Sequence, residues 1–102
     1  MTEGERLDLF RRRGWLCEIC HKNRATDLHH CLLRRDKHKP ELNHEINYEC
    51  LCHGCHMQGL GDTLEHRRLF YTKQVNRYGY LVVHDWLESL PLKIKRWDFC
   101  IG

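Results

Sequence analysis

Two Cys-x-x-Cys pairs constrain the fold of this chain more than any other feature of its sequence. The pairs are Cys17/Cys20 and Cys52/Cys55. Two such pairs a few tens of residues apart are a recognised pattern for a tetrahedral zinc site. Four thiolates at about 2.3 Å satisfy Zn²⁺ and leave no coordination position open. The sequence therefore predicts a structural zinc ion bound by these four cysteines.

The length of the chain makes such a metal site useful. A chain of 102 residues predicts a single domain, and a domain of that size buries only about two-thirds of its unfolded surface. Seven cysteines would suggest disulfides in a secreted protein, but residues 1–13 lack the apolar run of a signal peptide. We therefore expect a cytoplasmic protein in a reducing compartment, where zinc explains the cysteines better than disulfides do. No segment approaches the roughly 20 apolar residues that a membrane span needs.

Three histidines and one asparagine have no role in a closed site of four thiolates. His29 and His30 are adjacent, Asn47 precedes the second cysteine pair, and His56 directly follows Cys55. The order of the motifs resembles the HNH endonuclease family. These motifs are Cys17-Glu18-Ile19-Cys20, Asp27-Leu28-His29-His30 and the run from Asn47 to His56. The resemblance covers about residues 15 to 61, and it implies a ββα-metal fold with a zinc knuckle.

The resemblance also implies a role for each of these residues. His30 would be the general base, and His29 and His56 would bind one catalytic divalent ion such as Mg²⁺ or Mn²⁺. Asn47 would tether the loop that carries the base or, in some relatives, bind the metal, and we favour the tether. Many relatives have another histidine or an asparagine four residues after the helix histidine, where this chain has Leu60.

The missing ligand leaves a place that another residue could take. Asn47 or Asp27 could become a third ligand, and Asp27 could equally orient His29 from the same face of an extended strand. We expect the remaining histidines to be surface or core residues; they are His21, His38, His44, His53, His66 and His84. We expect the remaining cysteines, Cys31, Cys50 and Cys100, to be small buried apolar residues.

The flanking segments are predicted to be helical. Thr2 and Glu5 have the spacing of a capping box and Gly14 suits a helix end, so a helix is expected over about 3 to 13. Strands are expected over 27–33 and 46–51, followed by a short helix that carries His56. Further helices should start at Asp62 or Thr63 and at Tyr80, with Gly79 and Pro91 as their ends. The prediction is one α+β nuclease domain over 1–102, with an N-terminal helix (1–14), a zinc-knuckle core (15–61) and a helical extension (62–102). For the tail from Leu92 onward, a short strand and an ordered coil both remain open.

Basic residues are clustered rather than abundant. The formal net charge is only +3, but phosphate contacts depend on local patches rather than on the total. One cluster lies in the loop between the two predicted strands, beside the proposed base. It consists of Arg34, Arg35, Lys37 and Lys39. We predict that these side chains contact DNA phosphates without reading bases.

The sequence thus predicts a metal-dependent DNA endonuclease that hydrolyses phosphodiester bonds. Relatives of this size occur in phages and mobile elements, so the host cytoplasm and a larger packaging, homing or recombination machinery are its expected setting. One site per chain cuts one strand, and double-strand cleavage would need a homodimer or two events. A non-catalytic zinc module that binds DNA or protein is one alternative, although such a module would be expected to lose His30 or His56. A dihaem electron carrier is another, because both pairs also satisfy Cys-x-x-Cys-His.

Overall fold

The N-terminal helix forms where its capping residues predict it. The computed structural model describes residues 1–91. Helix α1 spans Glu3–Arg12, and Thr2 and Glu5 form a reciprocal capping box at its start. Gly14 follows the C-cap residue Arg13, and its φ of +86° is the left-handed conformation that glycine adopts without a Cβ penalty. Its buried residues, Leu9 and Phe10, pack with Ala25, Tyr48 and Cys50.

The sheet has two antiparallel strands that are shorter than predicted. Strand β1 spans Asp27–His30 and strand β2 spans Tyr48–Leu51. Their register places His29 opposite Glu49 and His30 opposite Tyr48. The expected strands over 27–33 and 46–51 were too long, because the Asn47 side chain bonds the backbone of Leu33 in place of a continued ladder. Two 3₁₀ turns, Pro40–Leu42 and Glu45–Asn47, complete the connection between the strands.

Within the described residues, three α-helices follow the sheet. The short helix α2 spans His53–Met57, α3 spans Leu64–Tyr78 and α4 spans Tyr80–Ser89. Of the two predicted caps, Asp62 and Thr63, it is Thr63 that caps α3, and Gly79 with a φ of +94° separates α3 from α4. Over residues 1–91 the protein is therefore a small α+β structure with a two-stranded antiparallel sheet and four α-helices. The predicted conformation of the tail from Leu92 and the place of Cys100 lie outside the described residues.

The larger apolar core lies between the helical extension and the loop that leaves β1. Phe70 of α3 and Val83, Trp86 and Leu87 of α4 pack against that loop. The loop contributes four buried apolar residues and one buried cysteine to this core: Leu32, Leu33, Leu42, Ile46 and Cys31. Because this core fixes both ends of the loop between the strands, it also fixes the side chains that the loop presents on its other side. None of the helices within residues 1–91 is both long enough and apolar enough to cross a bilayer.

A buried ion network joins the cysteine turn to the rest of the fold. The Glu18 carboxylate accepts hydrogen bonds from Arg13 at 3.0 Å, from Arg77 at 2.8 Å and from the backbone N–H of Cys50 at 2.7 Å. The side chains of Arg13 and Glu18 are only 2% and 6% exposed. A charge this deeply buried is tolerated only when it is paired and hydrogen-bonded, and Glu18 has both kinds of partner.

Candidate metal centre and cleft

The four cysteines of the two pairs meet at one point. Each of their sulfur atoms lies within 4.8 Å of the others. Cys17 and Cys20 sit on the turn before β1, where the Cys17 N–H bonds the Asn23 carbonyl, and Cys52 is the N-cap of α2. The cluster of Cys17, Cys20, Cys52 and Cys55 could therefore hold a structural metal ion such as zinc. Two covalently attached haems, one at each pair, do not fit around sulfurs this close together.

The surroundings of the cluster favour thiolates at two positions and oppose one at a third. Backbone hydrogen bonds from Asn23 and Lys22 lower the pKa of Cys20 to about 6. The backbone N–H of Cys55 lowers the pKa of Cys52. Burial, together with the neighbouring sulfurs, raises the pKa of Cys55 to about 12. A divalent cation at the centre would remove this conflict, because it offsets the repulsion among adjacent thiolates.

The three motif histidines line a single open cleft beside this cluster. The cleft has a volume of about 290 Å³. Its walls come from β1, from α2 and from the loops that follow each of them. They consist of Leu28, His29, His30, Arg34, Arg35, His56 and Asp62. The fold thus brings together two proposed cation ligands, the proposed base and two of the proposed phosphate-binding residues.

His29 and His56 are neighbours in the cleft, and one nitrogen of His29 lacks a hydrogen-bond partner within residues 1–91. The rings of the two histidines lie 5.4 Å apart between centroids. His29 is buried, and its Nε2 has no hydrogen-bond partner within residues 1–91. A buried polar atom without a partner is costly and calls for an explanation such as an absent ion. A divalent cation held between these imidazoles would supply one.

Asp27 positions His56 rather than His29. Its Oδ2 lies 2.8 Å from Nδ1 of His56 and 3.0 Å from Nδ1 of His53. Partial burial tends to raise the pKa of Asp27, but the hydrogen bonds from His56 and His53 outweigh it and lower the pKa to about 2. A carboxylate that holds Nδ1–H of a histidine fixes the tautomer in which Nε2 is the metal-binding nitrogen. The expectation that Asp27 orients His29 was therefore wrong about which histidine it contacts.

Asn47 is buried and bonded to the loop between the strands. Its side-chain amide accepts from the Leu33 N–H and donates to the carbonyls of Leu33 and Leu42, all at 2.8 to 3.0 Å. With no exposed surface, it has no access to the cleft. These bonds hold the two ends of the 34–41 segment together. They place the next residue after Leu42, Asn43, where its Oδ1 lies 2.8 Å from Nε2 of His30.

The basic loop residues are not equivalent. Arg34 and Arg35 are exposed and line the cleft. Lys39 is paired with Asp36 at 2.9 Å, and Lys37 is exposed without lining the cleft. Phosphate bound in the cleft would therefore meet the two arginines first.

No family model, curated protein or solved structure matches this chain.

Three acidic or amide residues near the cleft were not predicted from the sequence as functional residues. Asn43 and Asp62 belong to loops, and their partners His30 and His29 are distant in sequence. No local sequence pattern therefore predicts these two contacts. Glu49 is different, because it is a charged residue in a strand whose four residues are all buried. Both oxygens of Glu49 bond Nε2 of His66, at 2.9 and 2.7 Å. A lone carboxylate within an apolar strand was a usable signal for such a buried partner.

Proposed function

We propose that this protein is a metal-dependent DNA endonuclease of the HNH type, and that β1, β2 and α2 form its ββα-metal motif. The order of strand, strand and short helix supports this assignment, and so does a cysteine cluster that could hold a structural metal ion. The proposal rests mainly on one observation. A single cleft is lined by His29, His30 and His56 together with Arg34 and Arg35. Imidazoles beside guanidinium groups suit the hydrolysis of a phosphodiester.

His30 is suited to act as the general base. Burial lowers its pKa, although the hydrogen bond to Asn43 opposes that effect, so the ring is neutral at cellular pH. An amide oxygen can only accept, so the hydrogen bond to Asn43 places the ring proton on Nε2. Nδ1 then carries the free lone pair that takes a proton from the attacking water.

The other cleft residues bind and orient. Arg34 and Arg35 would bind the phosphate, and bidentate guanidinium contacts would fix its orientation. His29 and His56 would hold the divalent ion, and the hydrogen bond to Asp27 would orient His56. When bound, that ion supplies positive charge beside the scissile phosphate, where negative charge grows during the reaction. By resemblance to the family, the products carry 5′-phosphate and 3′-hydroxyl ends.

A plasmid-nicking assay tests the proposal. Supercoiled plasmid should be nicked in Mg²⁺, Mn²⁺ or Ni²⁺ and should stay intact in EDTA. His30→Ala should lose roughly 10²- to 10⁴-fold in rate, the range expected when a general base is removed. His38→Ala is the matched control, since His38 is an exposed loop histidine away from the cleft. Plasmid binding without nicking in every metal would instead favour a non-catalytic zinc module.

A further inference from the structure

We infer that Asp62 is the third protein ligand of the cation site in the cleft, beside His29 and His56. The inference rests on the proposed function, because it assigns a residue to the ion that this function needs. Asp62 lies outside the stretch that resembles the HNH family. Its assignment comes from the path of the chain after α2 and from the geometry at His29.

The position expected for the missing ligand does not face the cleft. A residue four positions after His56 would share its side of a helix only if the helix continued that far. Helix α2 ends at Met57, and Gly59 has a φ of +69°, so the chain has already left the helix at Leu60. Leu60 is exposed and does not line the cleft.

The turn that ends α2 carries Asp62 to His29 instead. The Asp62 N–H bonds the Gly59 carbonyl at 3.1 Å, which closes the turn. Gly61 is buried directly against the His29 ring. A Cβ on Gly61 would lie 2.9 Å from Nε2 of His29 and 3.2 Å from Oε1 of Glu49. The absence of a side chain at this position is what lets the next residue come so close.

The contact between Asp62 and His29 has the geometry of two ligands of one ion. Oδ1 of Asp62 lies 3.3 Å from Nε2 of His29, yet this nitrogen makes no hydrogen bond within the described part of the chain. Two ligands bound at about 2.1 Å lie about 3.0 Å apart at octahedral angles and about 3.4 Å apart at tetrahedral ones. The observed separation falls between these values. A carboxylate oxygen is also the ligand type that Mg²⁺ and Mn²⁺ prefer.

The neighbouring carboxylates are engaged elsewhere. Glu49 and Cys31 also have possible ligand atoms within 4.8 Å of a ring nitrogen of His29. Both side chains are buried and neither lines the cleft, and both oxygens of Glu49 bond His66. Asp27 bonds His56 and His53. The Asp62 side chain is 54% exposed and borders the cleft, so it can reach an ion that also binds water and phosphate.

Binding of Mn²⁺ alone to the zinc-loaded chain of residues 1–102 tests this assignment without relying on activity. Free Mn²⁺ is followed by electron paramagnetic resonance during a titration. The wild type should bind one Mn²⁺, and Asp62→Asn should weaken binding at least about tenfold, as loss of a ligand contact does. Glu65→Gln, which removes a nearby exposed charge outside the cleft, should change affinity less than about twofold because solvent screens it. Asp62→His, which offers a neutral imidazole, should bind better than Asp62→Asn.

The outcomes separate this inference from the proposed function. If Mn²⁺ binding is lost in His56→Ala but is unchanged in Asp62→Asn, the Asp62 assignment is overturned and the endonuclease proposal stands. Equal losses in Asp62→Asn and Glu65→Gln would also overturn the assignment, because they indicate a general effect of charge. If the wild type binds no Mn²⁺ and nicks no plasmid, the proposed function fails and this inference fails with it. Circular dichroism of each variant confirms that the fold is retained.

Discussion

The side-chain oxygen of Asn43 lies 2.8 Å from Nε2 of His30. This contact links the loop between the strands to the end of β1, across thirteen residues of sequence. Asn47 stabilises this contact indirectly, because its side-chain amide donates a hydrogen bond to the carbonyl of Leu42, the residue next to Asn43. The buried asparagine therefore acts on the proposed base through a second asparagine.

Replacing Asn43 should slow cleavage and change its pH dependence. In Asn43→Ala the ring proton of His30 is no longer held on Nε2, so part of the population has the wrong tautomer and the cleavage rate should fall. The loss should be smaller than the roughly 10²- to 10⁴-fold expected for loss of the base itself. Burial already lowers the pKa of His30, and the bond to Asn43 raises it. Activity is lost as pH falls through this pKa, so the acidic limb should move to lower pH in the variant. Rates measured from pH 5 to 8 check this, with exposed Asn76→Ala as the control. An unchanged cleavage rate and pH profile would show that Asn43 has no role at the site.

The two adjacent histidines should respond differently to metal. His29→Ala and His56→Ala should weaken the cation site, so raising the Mn²⁺ concentration should partly restore nicking. No concentration should restore His30→Ala, because a missing base is not replaced by more metal. Initial nicking rates over a series of Mn²⁺ concentrations measure this. Rescue of His30→Ala but not of His29→Ala would mean that the two roles are reversed.

The cysteine cluster should bind one zinc ion per chain, and the fold should depend on it. Cys52→Ser should lose the zinc and unfold, because a structural zinc site contributes on the order of 10 kcal/mol, comparable to the stability of a small domain. Cys50→Ala is the matched control, since Cys50 is also buried but lies outside the cluster. Metal content and thermal unfolding measure both effects. A folded, metal-free Cys52→Ser protein would contradict the zinc assignment.

The two cleft arginines should account for much of the salt dependence of DNA binding. Arg34→Ala and Arg35→Ala should each reduce the slope of log affinity against log salt by about one, on all sequences alike. Lys39→Ala should have a smaller effect, because its ammonium group is paired with Asp36. Lys22→Ala, an exposed residue on the cysteine turn, serves as the control. Fluorescence anisotropy over a range of salt concentrations gives the slopes. Unchanged slopes in both arginine variants would show that DNA binds to a different surface.

A side chain at Gly61 should disturb both stability and the cleft. The added Cβ of Gly61→Ala would meet buried His29 atoms at 2.8 and 2.9 Å, and neither the ring nor the sheet below it can easily move. Overpacking of this kind costs about 1–3 kcal/mol. Gly54→Ala is the control, because nothing lies within 4 Å of its Cβ position and alanine suits helix α2. Urea unfolding compares the two variants, and equal stabilities would show that the contact at Gly61 is relaxed in solution.

Local patterns in the sequence were sufficient to predict most of the elements. The Thr2–Glu5 capping box, the cap at Thr63 and the break at Gly79 each act within a few residues, and each was confirmed. The convergence of the four cysteines was also confirmed, because metal ligands must meet at one point. The strand ends were wrong because they depend on Asn47, whose side chain replaces ladder bonds to Leu33.

The contacts within the cleft could not be predicted in the same way. Asn43 and Asp62 reach their histidines only after the loop between the strands and the turn after α2 have folded. The identity of a loop residue does not show where it will lie when a distant core sets the position of the loop. His66 was expected to be a surface or core residue of no special role, and its bond to buried Glu49 depends on how α3 docks on the sheet.

The partners of Glu18 determine how this chain can be shortened or combined with others. Its carboxylate is held by Arg13 before the cysteine turn and by Arg77 in α3, and both arginines lie outside residues 15–61. An excised fragment of 15–61 would keep the four cysteines of the cluster and every motif histidine. It would leave a buried charge without its cations, at a cost of about 3–5 kcal/mol. We therefore expect that residues 15–61 do not fold stably by themselves. Transplanting them into another scaffold would require a replacement for both guanidinium groups.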